Sequence, residues 1–306
     1  MEISIETQHL RKEYPGRVAL EDISFKVAKG TIHGFLGPNG AGKTTTMKIL
    51  TGLIGQSAGE VKINGRIGFL PENPPVYGNM TVDDYLTFVL NIYSKEKFDS
   101  ARIKKVKEQC GLTEVGDRLI TNLSKGFKQR VGIAQALVHS PEIIILDEPT
   151  VGLDPVAIVE IRNLIESLKG DHTILFSSHQ LHEVELLCQE ITLVDKGKVL
   201  ISGTLSDIQN SLTTKRRYLA VIRNYSPELE KDLCAKLPID SVELINKEKN
   251  SFQIGINCNA KFNEDQHATI LTEILTEKRF GLLSFHEEKL DLEEIFKKMT
   301  IKKEVR

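Results

Sequence analysis

Gly37-Pro38-Asn39-Gly40-Ala41-Gly42-Lys43-Thr44 decides the reading of this chain. The octet follows an apolar run, Thr31-Ile32-His33-Gly34-Phe35-Leu36, that reads as a strand. It precedes Thr44 to Leu50, a stretch without a helix breaker before Gly52. Strand, glycine-rich loop and helix in that order predict a phosphate loop. Glycines let the backbone turn tightly, so that successive N–H groups converge on phosphate oxygens. Lys43 offers a cation to the β and γ phosphates, and the Thr44 hydroxyl offers an oxygen to Mg²⁺; Thr45 completes the set. On its own the loop leaves kinase, GTPase and ATPase open.

Upstream, Ile3-Ser4-Ile5 and Ile23-Ser24-Phe25-Lys26-Val27 read as strands, with turns at Pro15-Gly16 and Lys29-Gly30, so the first thirty-six residues are mostly β. Downstream, two short strands at Glu60–Ile63 and Arg66–Leu70 give way to a helical pattern over about 81–140. There Tyr85, Phe88, Val89, Ile92 and Tyr93 recur at helix-like spacing, which predicts a helical insertion. Strands return at Ile143–Leu146, Thr173–Phe176 and Ile191–Val194, separated by helices near 156–168 and 181–187. That alternation predicts a parallel, doubly wound sheet.

Ile143-Ile144-Ile145-Leu146-Asp147-Glu148 is a buried-strand pattern ending in two carboxylates, and ligands in such sheets bind at the carboxyl ends of strands. Downstream of a phosphate loop, Asp147 is expected to hold Mg²⁺ and Glu148 to polarise an attacking water. Between the two motifs lies Leu123-Ser124-Lys125-Gly126-Phe127-Lys128-Gln129-Arg130, where Ser124 can cap the following helix and leave its N–H groups to an anion.

Phosphate loop, Leu-Ser-x-Gly signature, Asp147-Glu148, Gly152-Leu153-Asp154-Pro155 and His179 occur in the order found in ATP-binding cassette (ABC) ATPases, which the chain resembles from about Ile3 to Gly203. The resemblance implies two cassettes closing head to tail on ATP, held between the phosphate loop of one and Ser124, Lys125 and Gly126 of the other. It also implies a role for Asp154 across that interface and a γ-phosphate contact from His179. Tyr14 resembles the family's adenine-stacking aromatic, with Val18 beside it. Two departures stand out. Lys125-Gly126-Phe127 replaces Gly-Gly-Gln, and Leu70-Pro71-Glu72-Asn73-Pro74 offers Glu72 where the family has Gln, so a carboxylate would face Mg²⁺ or water. Both variants resemble those of prokaryotic exporters of the drug, sodium, gliding-motility and polysaccharide efflux type. His182, with no further ligand in view, stays a polar helix residue.

The chain has 306 residues, enough for two domains at about 150 each. The first is expected to be an ABC ATPase core over 1–213, α/β with an N-terminal antiparallel β subdomain and the helical insertion. The second, 217–306, is expected to be a small α+β module of ferredoxin-like order, regulatory or dimer-supporting, with a last helix from Leu290. A net charge of −2 removes the basic field that nucleic-acid binding needs. Cys110, Cys188, Cys234 and Cys258 are far apart, which fits a reducing compartment. No stretch approaches the roughly 20 apolar residues of a membrane span, and Met1–Leu10 lacks a secretory pattern.

The expectation is therefore a cytoplasmic ATPase subunit, paired with a second copy or a paralogue and held at the membrane by a separate permease that exports a substrate. A soluble cassette of the repair, chromosome or translation type is the alternative; its usual second cassette, coiled coil or zinc insertion is missing here. The loop Glu72–Met80 is the expected docking point for a permease helix. Pro74, Pro75, Val76, Tyr77 and Met80, with Tyr85 and Phe88, would form an apolar groove.

Overall fold

The computed structural model describes residues 2–93, 99–212, 216–248, 250–259, 261–276, 280–288, 292 and 294–296. They divide into two units between Leu205 and Ser206.

The first unit opens with β1 (Ile3–Tyr14) and β2 (Arg17–Ala28), an antiparallel hairpin whose other edge carries β4 (Ala58–Ile63). β3 (Ile32–Leu36) runs straight into the phosphate loop, and α1 (Lys43–Leu50) follows it. β5 (Ile67–Leu70), β6 (Ile143–Asp147), β7 (Thr173–Ser178), β8 (Glu190–Asp195) and β9 (Lys198–Thr204) complete a sheet of order β4-β1-β2-β9-β8-β3-β7-β6-β5. β3, β5, β6, β7 and β8 form parallel neighbours; β9 returns antiparallel to β8, so the sheet is mixed and not purely parallel. Residues of β3 and β6 are buried throughout because both faces of these strands are covered, one of them by α1 and the β1–β2 hairpin.

Register sets the site. Leu36 lies beside Ser178, and Asp147 beside Ser177, so the carboxyl ends of β3, β6 and β7 bring Gly37, Asp147-Glu148 and His179 to one edge. Beneath them Ile5, Leu10, Leu20, Phe35, Met47, Ile143 and Leu175 share one apolar cluster. Each such side chain contributes about 1.5–3 kcal/mol on burial, which ties hairpin, α1 and central strands into one rigid support.

The insertion comprises α2 (Val82–Tyr93), α3 (Ser100–Cys110) and α4 (Lys125–Leu137), joined through 3-10 turns at Thr113–Val115 and Ile120–Asn122. Asp99 caps α3 by accepting from the Arg102 N–H at 3.1 Å, and Gly111, at φ 63°, ends it in the left-handed conformation. α5 (Pro155–Ser167) and α6 (Leu181–Leu187) flank the central strands. No helix among the described residues is long and apolar enough to cross a membrane.

The second unit begins with α7 (Leu205–Leu212), ahead of the boundary expected at 213. The segment after β9 is a helix with Ile208 buried. Then come β10 (Arg217–Ile222), α8 (Pro227–Lys236), β11 (Ile239–Lys247), β12 (Phe252–Cys258), α9 (Glu264–Thr276) and β13 (Leu282–Glu287). They form an antiparallel sheet of order β11-β12-β10-β13, the ferredoxin-like arrangement. Tyr218, Leu229, Leu233, Ile254, Ile256, Leu271 and Phe280 are among its core. The expected last helix starts at Leu290, outside the described residues; Leu292 and 294–296 are helical.

Candidate nucleotide site

A cleft of about 450 Å³ opens over the phosphate loop, lined by Arg17, Ala19, Asn39, Gly40, Gly42, Lys43, Thr44, Thr45, Glu72, Glu148, Val151 and His179. Glycine is required twice here. A Cβ at Gly37 would meet the Val194 carbonyl, and Gly42, at φ 106°, packs where a Cβ would strike Leu20. Gly37, Pro38 and Ala41 shape the loop without lining the cleft: the Gly37 and Pro38 carbonyls accept from Lys43 Nζ at 2.8 and 3.4 Å, and Ala41 is buried.

Lys43 and Glu148 face each other, Nζ to Oε1 at 3.1 Å, both almost fully buried. The second Glu148 oxygen lies 2.7 Å from His179 Nδ1. One carboxylate is thus gripped by a lysine and a histidine, which orients it toward the cleft. Glu148 sits at φ 50°, a left-handed conformation uncommon for a side chain of this size. The Ser177 hydroxyl accepts from the Glu148 backbone N–H at 3.0 Å and donates to Asp147 Oδ1 at 2.6 Å. Nothing in the sequence signals Ser177, since a serine at the end of a strand is common.

Asp147 Oδ2 is buried with no hydrogen-bond partner. Asp147 does not line the cleft itself; an orphaned carboxylate oxygen at the carboxyl end of β6, beside Ser177 of β7, suits a hard cation that takes oxygen ligands. Among the described residues no group of three or more His, Cys, Asp or Glu could hold a metal ion. Glu72 is exposed on the cleft wall and adds a carboxylate to the same space.

Tyr14 and Val18 do not line the cleft; Arg17 and Ala19 do. Strand alternation is the reason: Arg17 and Ala19 share one face of β2, and Val18 points to the other. Val18 is 47% exposed. Tyr14, 43% exposed, holds the Lys12 ammonium 5.1 Å from its ring centroid. The hairpin register pairs Tyr14 with Arg17, and that pairing is invisible until the turn is placed.

Ser124, Lys125, Gly126 and Asp154 also lie outside this cleft. Ser124 caps α4, accepting from the Phe127 N–H at 3.3 Å. Asp154 caps α5, accepting from Val156 and Ala157 at 3.1 and 3.0 Å. These two helix starts are neighbours: a Cβ on Gly126 would lie 3.1 Å from that of Ala157, and Lys125 Nζ rests over Gly152. They form one surface, separate from the phosphate loop of the same chain.

Fold and cleft together are those of a phosphate-loop nucleotide-binding protein with a buried carboxylate, Glu148, in the cleft. Residues 20–151 match the ABC transporter family. The lantibiotic transport ATP-binding protein SrtF of Streptococcus pyogenes is 38% identical over 216 residues, 67% of this chain and 93% of its own. The linearmycin resistance ATP-binding protein LnrL of Bacillus subtilis (strain 168) is 28% identical over 310 residues, covering 97% of this chain and 98% of its own. A solved ATP-binding subunit of an ABC transporter matches with a TM-score of 0.61 at 30% identity, over 68% of this chain and 92% of that one. The chain belongs to the ATP-binding subunits of ABC transporters, a family of ATPases.

Proposed function

We propose that this chain hydrolyses ATP at a site shared by two cassettes packed head to tail and so drives export through a separate membrane subunit. The observation that carries the reading is the split of the expected nucleotide contacts. Lys43, Thr44, Glu148 and His179 meet in one cleft, whereas Ser124, Gly126 and Asp154 share a different surface of the same chain. A head-to-tail pair brings one surface onto the other. The partner is a second copy or a paralogue.

Within the cleft, Lys43 neutralises the β and γ phosphates, and the loop N–H groups bind their oxygens. Thr44 and Asp147 Oδ2 would hold Mg²⁺, with Glu72 facing it or a water. When bound, that ion neutralises charge on the phosphate oxygens. Glu148 takes the proton of the attacking water, and His179 fixes the carboxylate while facing the γ-phosphate. Arg17 and Ala19 bound the nucleoside end, and Tyr14, paired with Arg17 across the hairpin, is the aromatic that would stack on the base. Across the interface, the N-terminus of α4 with Ser124, Lys125 and Gly126 presents N–H groups and a cation to the same phosphates.

Glu148→Gln tests this chemistry. It keeps the shape and removes the charge, so ATP binding and an ATP-stabilised dimer persist while hydrolysis falls by ~10²-fold or more. Unchanged turnover removes Glu148 from the role.

Export is supported by the transport and resistance names of the relatives, which speak against a repair or translation cassette. The permease places the chain at the cytoplasmic face of the membrane. Tyr77, 55% exposed, packs against Phe88 with ring centroids 5.7 Å apart, and both present apolar surface for a permease helix. Tyr85 supports the groove from beneath instead of lining its surface, its ring edge-on to Tyr77 with centroids 6.0 Å apart and its hydroxyl 3.3 Å from the Pro75 carbonyl. It is buried between that loop and α4, its hydroxyl also 2.5 Å from Gln135 Oε1. Tyr77→Asp with Met80→Asp should abolish co-purification with the permease and leave ATP binding intact; retained coupling would move the docking site.

A further inference from the structure

The segment from Glu148 to Asp154 serves both surfaces. Glu148 and Val151 line the cleft, while Gly152 and Asp154 belong to the α4–α5 surface. Between its ends one side chain ties it to another element: Thr150 Oγ1 donates to Glu183 Oε2 of α6 at 2.6 Å. Thr150 is 5% and Glu183 4% exposed, and Glu183 Oε1 is buried with no partner.

Stability does not explain this pair. A buried carboxyl with one unsatisfied oxygen costs free energy that an aliphatic side chain, such as the neighbouring Val184, would avoid. Geometry does explain it. Thr150 lies two residues after Glu148, and Glu183 four residues after His179. The Glu148–His179 bond at 2.7 Å and the Thr150–Glu183 bond at 2.6 Å therefore join the same two segments at two points. The Ser177 bond to the Glu148 N–H at 3.0 Å also holds the start of the segment, and the Thr150–Glu183 bond is the one that carries the grip past Glu148 toward Asp154. The turn before α6 is itself fixed, because Ser178 Oγ accepts from the Gln180 N–H at 2.9 Å.

We propose that Thr150 and Glu183 are positioning residues that lock the Glu148–Asp154 segment to α6. The clamp holds Glu148 in its left-handed conformation against His179 and makes the cleft and the Asp154 surface move as one piece. The proposal rests on the reading of Glu148 as the base.

The full-length chain is compared as wild type, Thr150→Val, Thr150→Ser and the double variant Thr150→Val/Glu183→Leu, with Glu148→Gln in parallel; kcat, KM for ATP and thermal midpoint are measured. Thr150→Val should lower kcat by about 10-fold or more, as expected for a displaced reacting group, with KM within about two-fold. Thr150→Ser, which keeps the hydroxyl, should restore it. The double variant removes both buried polar groups, so it should regain the wild-type midpoint yet stay slow. Wild-type kcat in Thr150→Val, or recovery of kcat with stability in the double variant, overturns the proposal. An active Glu148→Gln is a different failure, that of the base assignment.

Discussion

The two units bury different chemistry. Every polar or charged residue buried among the described ones, including Lys43, Asp147, Glu148, Thr150, Ser177 and Glu183, belongs to the first unit. The second is built on Leu229, Ile254, Ile256, Leu271 and Phe280, with the Tyr218 ring stacked on Phe285. Burying charge is costly unless it is paired, so a domain that tolerates several such groups at one sheet edge holds them for work other than folding. The second unit spends its burial on stability.

Substitutions on either side can break this contrast. The largest effect belongs to the first unit: Lys43→Ala should remove nucleotide binding itself, and Glu148→Gln should cut turnover by ~10²-fold or more while binding survives. Nucleotide titration separates the two variants. Ile254→Val, in the second unit, should cost about 0.5–1.5 kcal/mol in that unit's unfolding and leave ATP affinity unchanged. A weakened affinity there would mean that the second unit reaches the site. A chain cut near Thr214 should likewise still bind ATP; a folded fragment without affinity would contradict the division of labour.

The smallest expected effect is one of pH. His33 is buried in β3, its Nε2 2.8 Å from Thr192 Oγ1, and burial pushes its pKa below the ordinary histidine value against the opposing pull of Glu190. The unfolded chain then binds the proton more readily than the folded one. Stability is therefore untouched by His33 above the ordinary histidine value of about 6.5 and is lost as pH falls below it. Unfolding midpoints from pH 7.5 to about 5 should fall less steeply in His33→Gln than in wild type. An unchanged slope would show that His33 is not among the groups that set it.

Much of this was legible in the residues. The phosphate loop and the Asp147-Glu148 strand end were readable because glycine spacing and an aliphatic run encode backbone geometry locally. The ferredoxin-like order of the second unit followed from alternating apolar periods. What escaped depends on register or on distant partners. Arg17 and Ala19 replaced Tyr14 and Val18 along the cleft wall because one hairpin pairing decides which face β2 presents. No element was assigned between Val194 and the boundary at 213, where the structure has β9 and α7. The Thr150–Glu183 bond joins residues far apart in the chain, and neither is unusual alone.

The central claim is that one ATP site is built from two chains, and mixing two inactive variants tests it most directly. Lys43→Ala lacks the phosphate-loop cation, and Ser124→Arg blocks the opposing surface. In a mixed pair, one site combines an intact Lys43 with an intact Ser124. ATPase activity of the mixture should therefore rise above that of either variant alone. Full activity of Ser124→Arg by itself, or no gain when the mixed pair is shown to form, would contradict the shared site.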